Sequence, residues 1–564
     1  MSQIERRWQI AAKITPQAAE NLSQYSSTFQ QILFNRGIAT VEEADTFLKT
    51  DYAFHDPFLL KGMQTALDRI IKAIEREESI VVYGDYDADG VTSTALMAQS
   101  LEALGAKVST YIPDRFKEGY GLNNEALKKL KDDGAVLIIT VDCGIRAIDP
   151  CKFAKEIGLD MIITDHHTVG EELPEAIAVI NAKQDGDDYP EKNLAGVGMA
   201  FKVATALIEK IKPDNFGIED IADLVAIGTV ADMVPMIGEN RALVRQGLYY
   251  IRSNTRQGLF SLMGVSRIEP KSVSSSTIGF SIGPRINAAG RIASAQDALD
   301  LLLSNDVFKT GQLAQTLDNH NRERQNITRT IQEEAETQAL AETEESFLLF
   351  AADPSFNPGV VGLAASRLVD TYYRPAIVGH QGEEVTRASC RSIAEFHITE
   401  ALEECADLLT HFGGHAAAAG FTVKNENLPE LLKRLRDQAK TQLDGLDLRP
   451  LLQADAEVKL IDLKPDLLKE MDLLQPTGYG NPEAVFVSKN VMVKSKRTVG
   501  AEGAHLKMSV SDGKIYFDVI AFRLGHLLPV LTDRIDIIFT FEINEFQGRR
   551  SYQLNVIDIK IKEF

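Results

Sequence analysis

Cysteine is scarce in this chain: four residues in 564, Cys143, Cys151, Cys390 and Cys405, with no CxxC spacing. That excludes a zinc knuckle and a disulfide frame, and it reads as the reduced thiols of a cytoplasmic protein. Long apolar runs are missing as well. None approaches the roughly 18 residues needed to span a bilayer, and Met1-Ser2-Gln3-Ile4-Glu5-Arg6-Arg7-Trp8 lacks the apolar centre of a signal peptide. No membrane association is expected. There is no internal repeat and no low-complexity tract. Positive charge is short: 60 Lys+Arg stand against 81 Asp+Glu, a net charge of −21. At face value this argues against a nucleic-acid ligand, but in a large protein a cleft sets its own local field. Part of the acidic excess sits in Gln332–Glu336 and Glu342–Glu345, whereas from Val491 to Phe564 11 Lys+Arg face 9 Asp+Glu.

What is present is apolar material for globular burial, 44% hydrophobic residues, and a length that implies several domains. Three acidic segments each follow an apolar run. Gly84-Asp85-Tyr86-Asp87-Ala88-Asp89-Gly90 follows Ser79–Tyr83, Val141-Asp142-Cys143-Gly144 follows Val136–Thr140, and Thr164-Asp165-His166-His167 follows Met161–Ile163. In a parallel α/β sheet the C-terminal strand ends line one edge, where ligands bind. Five Asp and two His would then converge on one cleft. So many carboxylates repel unless cations offset them, so a divalent-metal site is expected.

The alternation of strands and helices between about 75 and 185 predicts a doubly wound parallel sheet. Residues 1–60 read as a polar helical lead-in packed on the next domain, and 61–300 as a catalytic domain. A long polar connector helix is expected over 301–345, then a second α/β lobe over 346–447 that closes on the turn Phe412-Gly413-Gly414-His415. Short strands separated by turns from 448 to 564 suggest an OB-fold barrel.

Asp85-x-Asp87-x-Asp89-Gly90 opens like a calcium loop, but the twelfth position is Leu96, not the required bidentate Glu, and a strand precedes it. A catalytic metal loop fits better. Carboxylate with imidazole suits Mn²⁺ or Mg²⁺, and two such ions roughly 3.5–4 Å apart support hydrolysis at phosphorus. The phosphate needs cations too. Arg285 and Arg291 lie in the Gly-rich stretch Ile282–Arg291, expected to be a loop; Arg391 follows Ser389, and Arg115 lies in Pro113–Gly121. Arg forks match phosphate geometry.

Together these motifs, with Glu118-Gly119-Tyr120-Gly121, Gly228–Pro235 and Gly413-Gly414-His415, resemble the DHH phosphoesterase superfamily, named for triplets like Asp165-His166-His167. Within it the chain is similar to the bacterial single-strand-specific 5′→3′ DNA exonucleases, from about residue 50 to the C-terminus. The resemblance implies that Asp87, Asp89, Asp142, His166 and Asp232 ligate two Mn²⁺ or Mg²⁺ ions, with Asp142 bridging and Asp85 and His167 close by. It implies a 5′-phosphate pocket at Ser389 and Arg391, DNA-backbone contacts from Arg115 and Arg285, and His415 reaching in from the second lobe; Arg291 is a further substrate-binding candidate. Cys390 departs from the Gly or Ala expected there, which leaves the local backbone open. The implied activity is release of nucleoside 5′-monophosphates from single-stranded DNA in recombination and repair. A monomer is expected, working with a single-strand-binding protein and a RecQ-type helicase. Lys494, Lys496, Arg497 and Phe522 are candidates for strand binding on the barrel. A phosphodiesterase for short oligonucleotides and a non-catalytic replication scaffold are the rivals. The barrel argues against the first, and the complete set of expected ligands against the second.

Overall fold

The computed structural model describes residues 5–49, 52, 54–342, 346–546 and 549–561. Thr343, Glu344 and Glu345 of the acidic stretch, residues 1–4 of the lead-in and residues 562–564 lie outside the described residues. The chain forms two compact units. One comprises 54–234 and 239–449; the other comprises 5–53, 235–238 and 450–564. Among the described residues no helix is long and apolar enough to cross a membrane.

The first unit opens with a five-stranded parallel sheet ordered Lys107–Tyr111, Ser79–Tyr83, Leu137–Val141, Asp160–Thr164, Ala178–Ile180. Chain order across the sheet is thus 2-1-3-4-5. Alternation assigns the two faces. Val81, Tyr83, Ile138, Met161 and Ile163 pack with Leu127, Leu130, Cys151 and Ala154 of helices Asn124–Asp132 and Ile148–Glu156. The intervening residues Ile80, Val82, Leu137, Ile139 and Ile162 are equally buried, on the side of helices Ala88–Ala103 and Gly196–Ile211.

A buried ionic knot braces this unit. Lys202 and Glu239, at most 1% exposed, pair directly; Lys202 Nζ also donates to the His55 carbonyl (3.1 Å), and the Tyr189 hydroxyl donates to the other Glu239 oxygen. Removing one charge strands the other in a dry interior, at about 3–5 kcal/mol. Lys202→Met is therefore expected to lower the unit's unfolding free energy by about that much, read by urea denaturation.

Helix Val307–Glu342 leads to a second five-stranded sheet, ordered Leu409–His415, Ala418–Lys424, Val385–Arg391, Ala376–Gln381, Leu349–Asp353. Phe412–His415 is therefore the end of an edge strand, not a closing turn. In the other unit, strands Phe486–Val499, His505–Ser511, Tyr516–Ala521, Arg549–Ile561 and Arg534–Phe546 pair in a ring that closes the barrel.

The lead-in differs from expectation. Arg7–Ile10 forms a parallel strand with Leu451–Ala454, the Trp8 indole donates to Asp558 (2.8 Å), and Phe29, Ile32 and Leu33 join the barrel core. The lead-in thus divides: residues 5–49 belong with the C-terminal barrel, whereas 54–60 belong to the unit of the domain that follows in sequence. Its apolar positions said only that it needed a partner; the partner lies more than 400 residues away.

Candidate metal centre

A 2-1-3-4-5 sheet has its switch point between the first and third strands, where neighbouring crossovers leave in opposite directions and open a crevice. Here those strands are Ser79–Tyr83 and Leu137–Val141, and the acidic segments sit directly past their ends. The Asp85–Gly90 segment is less of a loop than its spacing predicts. Asp87 is the N-cap of helix Ala88–Ala103 and accepts from the N–H groups of Asp89 (2.9 Å) and Gly90 (3.0 Å). Asp89 lies in the first turn, and its oxygens take the N–H groups of Gly196 (2.7 Å) and Val197 (2.8 Å). These open the helix Gly196–Ile211, a positive helix end aimed at a carboxylate.

Asp142 adopts φ 60°, a left-handed conformation uncommon for a side-chain-bearing residue and frequent at functional sites. Gly196 faces it so closely that a Cβ there would lie 2.5 Å from Asp142 Oδ1. Gly196→Ala must therefore push Asp142 or the helix aside. An overpacking cost of about 1–3 kcal/mol is expected, with activity falling roughly 100-fold as the displaced carboxylate misaligns. Thermal unfolding and turnover on the same preparation check both.

Asp165 acts as a bracket. It accepts from the N–H groups of Ile145 (2.9 Å), His166 (2.7 Å) and His167 (3.0 Å), and it holds His167 Nδ1 at 2.7 Å. His166 points into the cluster, with Nε2 3.1 Å from Asp142 Oδ1 and 4.0 Å from Asp89, and Nδ1 3.7 Å from Asp232. Asp232 caps the end of helix Ala222–Ala231.

Burial, and then the neighbouring carboxylates, push Asp85 and Asp142 well above the usual carboxylate range. Burial and Asp87 raise Asp89 to about 7 despite its two backbone donors, and burial with Asp89 and Asp87 raises Asp232 to about 9. Burial, then the charge of His167, lowers His166 to about 3, so the imidazole at the centre supplies a lone pair and no positive charge. Asp85 Oδ1, Asp142 Oδ1 and His166 Nε2 are buried without a hydrogen-bond partner among the described residues. Orphaned acceptors around a neutral imidazole are what a cation would satisfy. The sets Asp85–Asp87–Asp142 and Asp89–His166–Asp232 each bring three donor atoms within 4.8 Å of one another. Oxygen with imidazole suits Mn²⁺ or Mg²⁺.

Beside this cluster lies a group of arginines. Arg115 stacks over the Tyr86 ring at 4.9 Å. Burial, then Arg115, Arg324 and Arg391, hold Arg291 down at about 10. Arg391 and Ser389 share one face of strand Val385–Arg391, and Gly362 opens onto both: a Cβ there would meet Arg391 Nη2 at 3.1 Å and Ser389 Oγ at 3.4 Å. Cys390 turns the other way into the apolar core, so the strand keeps its register and the thiol does not distort it. His415 ends the edge strand Leu409–His415, two strands from Val385–Arg391, and lines a cavity with His167 and Tyr120.

Arg285 stands at the edge of this group, near enough to Arg324 for its charge to add to burial in lowering that residue's proton affinity, but its guanidinium is committed elsewhere. It is tied to Asp318 (3.0 Å) and the Ser281 carbonyl (2.8 Å), with Arg322 on the other Asp318 oxygen at 2.7 Å. Its stretch is not a loop either. Gly283–Ile292 is a helix with Pro284 in its first turn, and its glycines serve close packing; a Cβ on Gly290 would lie 2.5 Å from the Tyr86 carbonyl. Sequence reasoning missed Gly196 and Arg324, since an isolated glycine and one arginine in a polar helix carry no signal. On the barrel, Lys494, Lys496 and Arg497 are exposed along Phe486–Val499, Lys496 donates to the Leu531 carbonyl (2.6 Å), and Phe522 packs edge-on against His505 at 5.2 Å.

A switch-point sheet bearing a DHH cluster, joined by a helix to a second, mixed sheet, defines a DHH phosphoesterase. The DHH family, N-terminal domain, matches residues 79–229 and the DHHA1 domain residues 344–441, while the RecJ OB domain matches 454–558. The chain is 43% identical over 538 residues to the single-stranded-DNA-specific exonuclease RecJ of Bacillus subtilis (strain 168), covering 94% of this chain and 68% of that one. To the protein of that name from Haemophilus influenzae it is 34% identical, over 92% and 94%. The crystal structure of RecJ in complex with Mn²⁺ from Thermus thermophilus superposes with TM-score 0.85 at 30% identity, over 99% of this chain and 80% of that one. The Mg²⁺ complex from the same organism gives 0.80 at 29%, over 99% and 79%. The chain belongs to the RecJ family, and it is a metal-dependent exonuclease.

Proposed function

We propose that this protein is a single-stranded-DNA-specific 5′→3′ exonuclease that releases nucleoside 5′-monophosphates and acts in DNA recombination and repair. The observation that carries the reading is the trio of buried, unpartnered atoms at the switch point, Asp85 Oδ1, Asp142 Oδ1 and His166 Nε2. Asp87, Asp89, Asp142, His166 and Asp232 hold two Mn²⁺ or Mg²⁺ ions, with Asp85 beside them. When bound, such ions lower the pKa of water and stabilise charge on phosphoryl oxygens.

The chain's own groups do the rest. The Gly196 and Val197 N–H groups fix Asp89. Asp165 orients His167 through Nδ1, leaving Nε2 for the scissile phosphate. Ser389, Arg391, Arg291, Arg115 and Arg324 bind the 5′-terminal phosphate, and that anchorage sets polarity. Arg285 acts through Asp318 as a brace. The barrel unit offers a separate single-strand surface along Lys494, Lys496, Arg497 and Phe522.

A monomer in the cytoplasm fits the four unpaired, buried thiols as far as compartment goes. A single-strand-binding protein and a RecQ-type helicase are the partners the family resemblance implies. The test is digestion with Mn²⁺ of a 3′-labelled single strand, beside the same strand as a blunt duplex and beside the Asp142→Ala variant. A ladder descending from the 5′ end, absent on duplex and in the variant, supports the reading. Activity confined to dinucleotides overturns it in favour of a small-substrate phosphodiesterase.

A further inference from the structure

The fifth strand of the first sheet, Ala178–Ile180, ends beside the Asp165-His166-His167 triplet. Ile180 stands opposite Thr164 in the parallel register, and the Asp165 N–H donates to the Ile180 carbonyl at 3.1 Å, so Asn181 and Asp165 leave their strands side by side. Asn181 is 0% exposed, and its amide is engaged at both ends. Nδ2 donates to the His167 carbonyl (2.9 Å), and Oδ1 accepts from the Lys183 N–H (2.8 Å). Lys183 Nζ in turn donates to the His166 carbonyl at 2.6 Å.

Gln184 keeps this turn in place. Its N–H donates to the Asn181 carbonyl (3.2 Å), and its Nε2 donates to the carbonyls of Val179 (3.0 Å) and Lys61 (3.2 Å). The histidine pair is therefore held by both edges of its main chain. Asp165 takes the N–H groups of His166 and His167, and Asn181 and Lys183 take their carbonyls.

The bond from Lys183 is charge-assisted, roughly twice as strong as a neutral one. Lys183 is half-buried; burial lowers its proton affinity, and the charges of Asp232 and Asp165 raise it. An ammonium is no metal donor, and the Asn181 amide is already spent, so the two residues reach the centre through the backbone of the histidines. That backbone fixes where the rings project. His166 Nε2 lies 3.1 Å from Asp142 Oδ1, and His167 Nδ1 lies 2.7 Å from Asp165. A displacement of about 1 Å at such a site costs about 100-fold in rate.

Resting on the exonuclease reading above, we propose that Asn181 and Lys183 are positioning residues of the reaction, a clamp on two main-chain carbonyls that holds His166 toward the metal site and His167 toward the scissile phosphate while touching neither metal nor substrate. Partners of this outer kind are typically worth about 10–100-fold in metal affinity or activity. Lys183 is the one to vary, because it is half-buried and its substitution leaves the strand end intact. Lys183→Met removes the ammonium at similar length, and Lys183→Arg keeps a cationic donor.

The experiment uses the whole protein in saturating Mn²⁺ with a 5′-phosphorylated single strand. Lys183→Met is expected to lose about 10–100-fold in kcat with KM for the strand within about twofold, and Lys183→Arg to stay within about threefold of the wild type. In EDTA, amide hydrogen exchange over residues 165–168 is expected to quicken at least roughly threefold in Lys183→Met and not in Lys183→Arg. An unchanged kcat in Lys183→Met overturns the clamp. So does a loss confined to KM, which would make Lys183 a strand contact, and so does a Lys183→Arg protein as slow as Lys183→Met. Exchange that fails to quicken overturns it as well. A wild type that digests no single strand overturns the exonuclease reading, and the exchange comparison in EDTA then decides the clamp alone. If Lys183→Met does not fold, Lys183→Gln, also neutral, carries the same comparison.

Discussion

Asp142→Asn is expected to remove at least about 10³–10⁴ of the turnover, yet to make the metal-free protein more stable. The two effects have one origin. Asp142 sits 2% exposed at the third strand end, held in a left-handed backbone conformation, with Oδ1 unpartnered and four other carboxylates raising its proton affinity. Without a cation this is a desolvated, repelled charge, and an amide of the same shape relieves it, by about 1–3 kcal/mol. With a cation the sign reverses. A ligand that binds only the folded state stabilises it by about 2.7 kcal/mol at 100 times its Kd, and the wild type gains this while the variant loses a donor shared by the Asp85–Asp87 and His166 groups. The loss of turnover follows from a Lewis acid worth several kcal/mol, at about 1.4 kcal/mol per tenfold. Thermal unfolding of both proteins in EDTA and in Mn²⁺ separates the terms. The wild type should be the less stable in EDTA and the more responsive to Mn²⁺. A variant as responsive as the wild type would place the cation elsewhere.

The sheet and its acidic edge were legible because strand-end chemistry is local in sequence. Each apolar run delivers its carboxylate at a fixed point, and Asp85, Asp87, Asp89, Asp142 and His166 do meet; Asp232, which joins them from the end of helix Ala222–Ala231, was named only by the family resemblance. What resisted reading was long-range. Nothing near Arg7–Ile10 announces Leu451–Ala454 as its sheet partner. Arg285 and Arg291 look equivalent on one glycine-rich stretch, yet helix formation points them apart. Arg285 meets the buried Asp318, and Arg291 joins Arg115, Arg324 and Arg391. Periodicity could have warned of the helix, since Ile282, Ile286 and Ala289 recur at its spacing and are buried. Glycine content argued the other way, because glycine serves close helix packing as readily as turns.

The arginine group yields the second large effect. Arg291 is buried, and after burial itself the largest influences lowering its proton affinity are the like charges of Arg115 and Arg324, with Arg391 adding to them. Arg391 has its own Nη1 spent on the Cys390 carbonyl at 2.8 Å, leaving its remaining nitrogens beside Ser389 and Gly362. Gathering like charges is unfavourable until an anion arrives, and the gain grows with the anion's charge. A terminal phosphate monoester carries about −1.5 to −2 at neutral pH, where an internal diester carries about −1. The group should therefore prefer a phosphorylated 5′ end over any internal position. Removing the 5′-phosphate from a single strand is expected to lower kcat/KM by about 100-fold, the worth of a charge-assisted pair of bonds at about 1.5–3 kcal/mol. Arg391→Ala should lower it by a similar factor on the phosphorylated strand and leave little difference between phosphorylated and hydroxyl ends. That double comparison separates a lost contact from a disturbed fold, because a damaged fold would slow both substrates and preserve their ratio. If Arg391→Ala keeps the full preference for the 5′-phosphate, the anchor lies with Arg115 and Arg291 alone, and the second sheet has no part in setting polarity.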